Sequence, residues 1–153
     1  MAEVRFYHLT RSSLEQVLPA LLGRTLAAGE RALVCGVEEE RLAALDAALW
    51  LAPEPDWLPH GGARDGDADL QPIWLATESE LAAKGAANGA GFLFLVDGAT
   101  TPRIAEFARV FDLFDGNDPA AVDAARTRWR AARAAGHAVS YWQQGPKGWE
   151  QKA

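Results

Sequence analysis

Hydrophobic and polar positions alternate from Glu3 to His8, with Val4, Phe6 and His8 on one side and Arg5 and Tyr7 on the other. A period of two is that of a strand with a buried face. Ser12 followed three residues later by Glu15 matches a capping box. Leu14, Val17, Leu18, Leu21, Leu22 and Leu26 then recur at helical spacing as far as Gly29. Arg31–Val37 reads as a second, apolar strand. Glu38–Leu51 reads as a helix with acidic residues in its first turn and Leu42, Leu45 and Leu49 on one face.

Residues 52–72 are rich in Pro, Gly and Asp and carry neither period, which predicts a long surface loop. Ile73–Ala76 is a short strand, and a polar, alanine-rich stretch leads to Gly91. Phe92–Val96 is a continuous apolar run, the pattern of a strand covered on both faces. Thr101-Pro102 suits a helix entry over Thr101–Ala108, and Arg109–Phe114 alternates again as a strand. Asp118 is the expected N-cap of a last helix with Pro119 at its first position, and Gly136 is its stop. A final strand is expected over Ala138–Trp142, with residues 143–153 fraying. Strands alternating with helices predict a single domain over 1–153. The fold class is α/β, a three-layer Rossmann-like sandwich with a mostly parallel sheet and helices on both faces.

Charge narrows the function. Fifteen Lys+Arg against 21 Asp+Glu give a net charge of −6 in 153 residues, so coating nucleic acid is not expected and any polyanion contact must be local. One cysteine, Cys35, excludes an internal disulfide, and no Cys/His spacing fits zinc. The start has no apolar signal-peptide core, and the apolar runs are too short to span a bilayer, so a cytoplasmic protein is expected.

A nucleotide-binding α/β enzyme is the alternative that this architecture raises. Leu9–Ser13 after the first strand holds no glycine fingerprint, and no phosphate-loop motif occurs in the chain. His8, His60 and His137 stand at element boundaries without triad or metal spacing, and read as hydrogen-bonded structural residues. Cys35, among Ala32, Leu33 and Val34, reads as a buried, inert thiol. No catalysis and no cofactor are expected.

Two features remain. Trp50, Trp57 and Trp74 surround the central loop, where large aromatics either anchor an interface or cap the core. The last helix carries Arg126, Arg128, Arg130 and Arg133 with no carboxylate between them. Helical spacing puts Arg126, Trp129, Arg130 and Arg133 on one stripe and turns Arg128 away. Such a strip suits an acidic peptide, a free C-terminal carboxylate or a few phosphates, or is a solvated face. Direct single-stranded DNA binding by Arg and Trp is a further reading, disfavoured by the acidic chain.

These pieces occur together in one family. Phe6-Tyr-His-Leu, Leu45-Asp-Ala-Ala-Leu-Trp, Trp57-Leu-Pro-His, Phe107–Phe114, the run from Ala125 through the Arg-rich helix, and Tyr141-Trp stand in one order over residues 3–143. In this the sequence resembles the chi subunit family of the bacterial DNA polymerase III holoenzyme. The resemblance implies a Rossmann-like fold without nucleotide chemistry and a role as a clamp-loader accessory protein. It implies binding of the acidic C-terminal tail of single-stranded DNA-binding protein: Arg126 at the tail's terminal carboxylate, Arg130 facing its acidic run, Phe114 lining the pocket for its terminal Phe. It also implies a surface at Trp50 and Trp57 for the psi subunit or a competing helicase. A basic residue that some members carry early in the last helix is absent here, where Val122 and Asp123 stand.

Overall fold

The computed structural model describes residues 2–53 and 58–153. Strands β1 (Glu3–Leu9), β2 (Ala32–Gly36), β3 (His60–Gly62), β4 (Ile73–Thr77), β5 (Phe92–Val96), β6 (Arg109–Asp115), β7 (Ala138–Gly145) and β8 (Gly148–Gln151) form one sheet. Their order is β3-β4-β2-β5-β6-β1-β7-β8. All neighbours run parallel except β7 and β8. Helices α1 (Leu14–Ala27) and α2 (Glu39–Leu51) cover one face, α3 (Glu78–Lys84) and α4 (Pro119–Ala134) the other. This is the three-layer α/β sandwich that the alternation predicts.

The two cores follow from strand parity. Val34, Phe94 and Phe111 face α1 and α2 and meet Leu18, Leu22, Leu45 and Leu49. Phe6, Leu33, Leu93 and Phe114 face α3 and α4 and meet Leu81, Ala125 and Ala132. Phe94 and Phe111 stack with centroids 4.5 Å apart, worth about 1 kcal/mol beyond the area they bury.

Four local expectations are corrected. The N-cap of α1 is Ser13, whose N–H donates to Gln16 Oε1 at 2.8 Å, rather than Ser12. The N–H groups of Thr10, Arg11 and Ser12 are taken instead by Gln144 Oε1 at 2.9–3.1 Å. The 52–72 loop is not structureless: it includes β3 and a 3₁₀ turn at Ala68–Leu70. The expected helix over Thr101–Ala108 is only a 3₁₀ turn, Ile104–Glu106. There Phe107 is drawn into the core, and Arg103 donates to Ala82 O twice and to Glu106, which holds the segment against the end of α3. Lastly, the segment expected to fray extends β7 to Gly145 and returns as β8. Gly148 takes φ +121° at the turn, and Trp149 stacks on Tyr7 at 4.6 Å.

Candidate functional site

Parallel strands bring their C-terminal ends to one edge of the sheet, where β6 hands over to α4. Asp118 Oδ1 accepts from the N–H of Ala120 at 3.0 Å, and Pro119 opens the helix as expected. Ala125 and Ala132 are buried, and Val122 and Trp129 pack against the same core. Trp129 therefore belongs to the packing face of α4, a correction to its expected place on the arginine stripe. It meets Phe6 at 5.6 Å and Tyr141 at 5.9 Å, both edge-on.

The four arginines separate into two kinds. Arg128 points away from the other three, as its spacing predicts, and the structure turns it inward to grip Asp112 of β6 with two bonds, 2.6 and 3.0 Å. Asp112 is 2% exposed; burial pushes its carboxyl up and Arg128 pulls against that shift. Arg126, Arg130 and Arg133 are exposed. Among the described residues the ion partner of Arg126 is Asp123 at a loose 3.7 Å, and Arg130 and Arg133 have none. Such exposed pairs contribute little, which leaves these guanidinium groups able to accept an anion.

Beside Arg126 lies an aromatic cluster. His8 and Phe114 are register partners at the ends of β1 and β6, with rings 5.2 Å apart. Tyr141 of β7 meets Phe114 at 6.0 Å, and its hydroxyl shares a 2.5 Å hydrogen bond with His8 Nδ1. Gly116 closes the other side of His8: a Cβ there would stand 1.9 Å from the imidazole Cδ2 and 2.8 Å from Leu9 O. Phe114 is 3% exposed, so it forms the floor of this corner rather than an open contact. Burial holds His8 below the ordinary imidazole value and the charge of Arg126 adds to this, against Gly116 and Asp115. Burial pushes the Tyr141 phenol up, and Arg126 opposes it. The field of Arg126 thus reaches both rings.

The structure brings together Arg126, Phe114 and Trp129, with Arg130 one helical turn further on. His8 and Tyr141 complete the corner. Sequence reasoning gave His8 a structural role, which its hydrogen bond bears out, but did not place it in this site. The available signal was its position at the end of a strand, two residues after Phe6 on the same face.

Toward the other end of the sheet, on the opposite face, Trp50 is 59% exposed and its ring lies 4.2 Å from that of His60. His60 is buried, with Nδ1 2.6 Å from Leu58 O and Nε2 3.1 Å from Asp46 O and 3.2 Å from Asp46 Oδ1. Trp74 is core, and its indole N–H reaches Glu80 at 3.3 Å. Trp57 lies outside the described residues. His137 Nδ1 accepts from the N–H of Ala2 at 3.0 Å. Cys35 is buried, and burial, helped by Glu78 and Glu80, pushes its thiol up to about 12. Its burial is as expected and disfavours the reactive thiolate. Among the described residues no group of three His, Cys, Asp or Glu could hold a metal, and no helix is long and apolar enough to cross a membrane.

Fold and site together define a class: an α/β sandwich that presents a cationic, aromatic-backed corner at the carboxyl edge of its sheet. The family model described as DNA polymerase III chi subunit, HolC, matches residues 1–140, and the chain belongs to that family. Membership gives it an accessory role in DNA replication. A comparison with curated proteins finds no significant match.

Proposed function

We propose that this chain is a non-catalytic accessory subunit of DNA polymerase III that holds the acidic C-terminal tail of single-stranded DNA-binding protein and links it to the clamp loader or a helicase. The observation that carries this reading is Arg126, an exposed cation without a close partner beside the corner of His8, Phe114 and Tyr141. A tail ending in Phe needs a cation for its carboxylate and an apolar seat for its ring. Arg126 serves the first need. Phe114 and Trp129 back the second, and Arg130 faces the acidic residues upstream. The family match over most of the chain, and one sheet running from β3 to β8, support treating residues 1–153 as one chi-like unit.

Exposure of Trp50 supports a second surface, for a psi subunit or a helicase, to which the resemblance adds Trp57. Residence in the cytoplasm goes with this role, and so does little direct binding of DNA by an acidic chain.

Titration with a fluorescent acidic peptide ending in Asp-Ile-Pro-Phe tests the tail reading. A short tail pays an ordering cost, so the expected Kd is about micromolar, weakening as salt screens exposed charges. Arg126→Ala should weaken binding about tenfold or more, and amidation of the peptide should do the same. Wild-type affinity in Arg126→Ala, or in the amidated peptide, overturns the assignment.

A further inference from the structure

At the carboxyl ends of β3 and β4, a groove of about 470 Å³ opens between the first turns of α2 and α3. Its lining includes the buried side chains of Leu42 and Leu75, an apolar floor. Around it stand Glu39, Glu40, Asp46, Asp65 and Glu80, against the one cation Arg64. Helix N-termini account for Glu39, Glu40 and Glu80 where they stand. Asp46, two turns into α2, also stands 3.2 Å from His60 Nε2, and Asp65, on the loop after β3, accepts from the N–H of Gly62 at 2.9 Å, so the fold fixes both carboxylates where they line the same groove. Among the described residues Glu39, Glu40, Asp65 and Glu80 have no ion-pair partner.

The groove also leads somewhere. Glu39, Ala43, Asp46 and Trp50 are spaced 4, 3 and 4 residues apart, so they form one stripe of α2 that ends at the exposed Trp50. We propose that this groove seats a basic segment of a protein partner, a Lys or Arg laying its aliphatic stem over Leu42 and Leu75 and its cation among the carboxylates. The inference rests on the partner reading of Trp50 and deepens it, by giving the partner's chemistry beside the aromatic anchor.

Charge complementarity selects this occupant. Nucleic acid would be repelled by five carboxylates. A second copy would have to bring cations from other parts of its surface, among them Arg11, Arg24 and Lys147 as well as Arg126, Arg130 and Arg133 of α4, all exposed and none lining the groove. Such a head-to-tail contact builds open chains rather than a closed dimer.

The test is an NMR titration of the full chain with acetyl-Leu-Arg-Ala-Leu-Arg-Leu-amide, and with the same peptide carrying citrulline for arginine. Saturable shifts are expected at the amides of Ala43, Gly62, Ala63 and Thr77 with the arginine peptide. Glu39→Gln with Glu40→Gln should weaken binding by about fivefold, the size set by exposed ion pairs. Both side chains are exposed and make no hydrogen bond among the described residues, so the fold should survive. Equal binding of the citrulline peptide, or shifts spread over the acidic surface without saturation, overturns the proposal. So does concentration-dependent self-association that the double variant abolishes, since the occupant is then a second copy. Trp50→Ala separates the two readings. Peptide binding that survives it but is lost in Glu39→Gln/Glu40→Gln supports the groove and removes the Trp50 surface; binding lost in Trp50→Ala but kept in the double variant does the reverse.

Discussion

Asp112 and Arg128 show how a charge can be spent on structure within a functional helix. Their two bonds cross from β6 to α4, and both groups have left water, with side-chain exposures of 3% and 15%. Breaking one partner of such a pair strands the other. Asp112→Ala should cost about 3–5 kcal/mol of stability. Asp112→Leu combined with Arg128→Met should cost much less, because no charge is then left buried. Urea denaturation of the three proteins decides it: a single variant as stable as the wild type would show that the pair does not fix α4. Arg126 is the opposite case. Its side chain is 63% exposed, so its removal should change stability by less than about 0.5 kcal/mol, and loss of tail binding in Arg126→Ala can be read as loss of a contact.

At the scale of elements, the hairpin of β7 and β8 reaches farthest across the chain. Trp149 stacks on Tyr7 of β1, and Gln144 collects the N–H groups of residues 10–12, at the entry to α1. Those donors precede the helix and would otherwise need water or a local cap. The hairpin thus holds β7, the strand that carries Tyr141 to the site. Trp149→Ala should cost about 1–3 kcal/mol, since the ring is only partly buried. It should also raise hydrogen exchange at residues 143–145 more than in β2 or β5. Uniform exchange across the sheet would show that the hairpin is not a separate unit of stability.

The molecule as a whole is electrically divided. Carboxylates gather around α2 and the groove beside it, and the free arginines along α4, within a net charge of −6. Its pH dependence should follow the groups that the fold shifts. Burial pushes Glu15 up, but hydrogen bonds from its own N–H and from Arg41 outweigh this and hold it below its ordinary 4.5. Glu3 is likewise held low, by Arg5 and Arg109 against burial. A depressed carboxylate stabilises the fold above its unfolded value, and that stability is lost as pH falls through the folded one. His8, also held low, loses stability in the same direction, below its ordinary 6.5. Asp112, which burial holds high, works the other way as pH falls, so the test is a comparison: from pH about 6 to about 3 the Tm of the wild type should fall more than that of Glu15→Gln. Equal falls in the two proteins would contradict the shift of Glu15.

Strand and helix periods, the Asp118-Pro119 entry and the Gly136 stop of α4 were legible because each rests on neighbours in the chain. So was the split between Arg128 and the other arginines, which is a matter of helical angle. The order of motifs from Phe6 to Trp142 carried the family. Tertiary structure alone decided that β8 pairs rather than frays, since Trp149 needs Tyr7, 142 residues earlier, to cover it. It alone seated His8 against Tyr141, 133 positions away, put Trp129 on the packing face of α4, and turned Asp46 and Asp65 toward one groove. Local pattern fixes which face an element buries. Which side chains meet across the sheet depends on strand order, and no short window of sequence contains that.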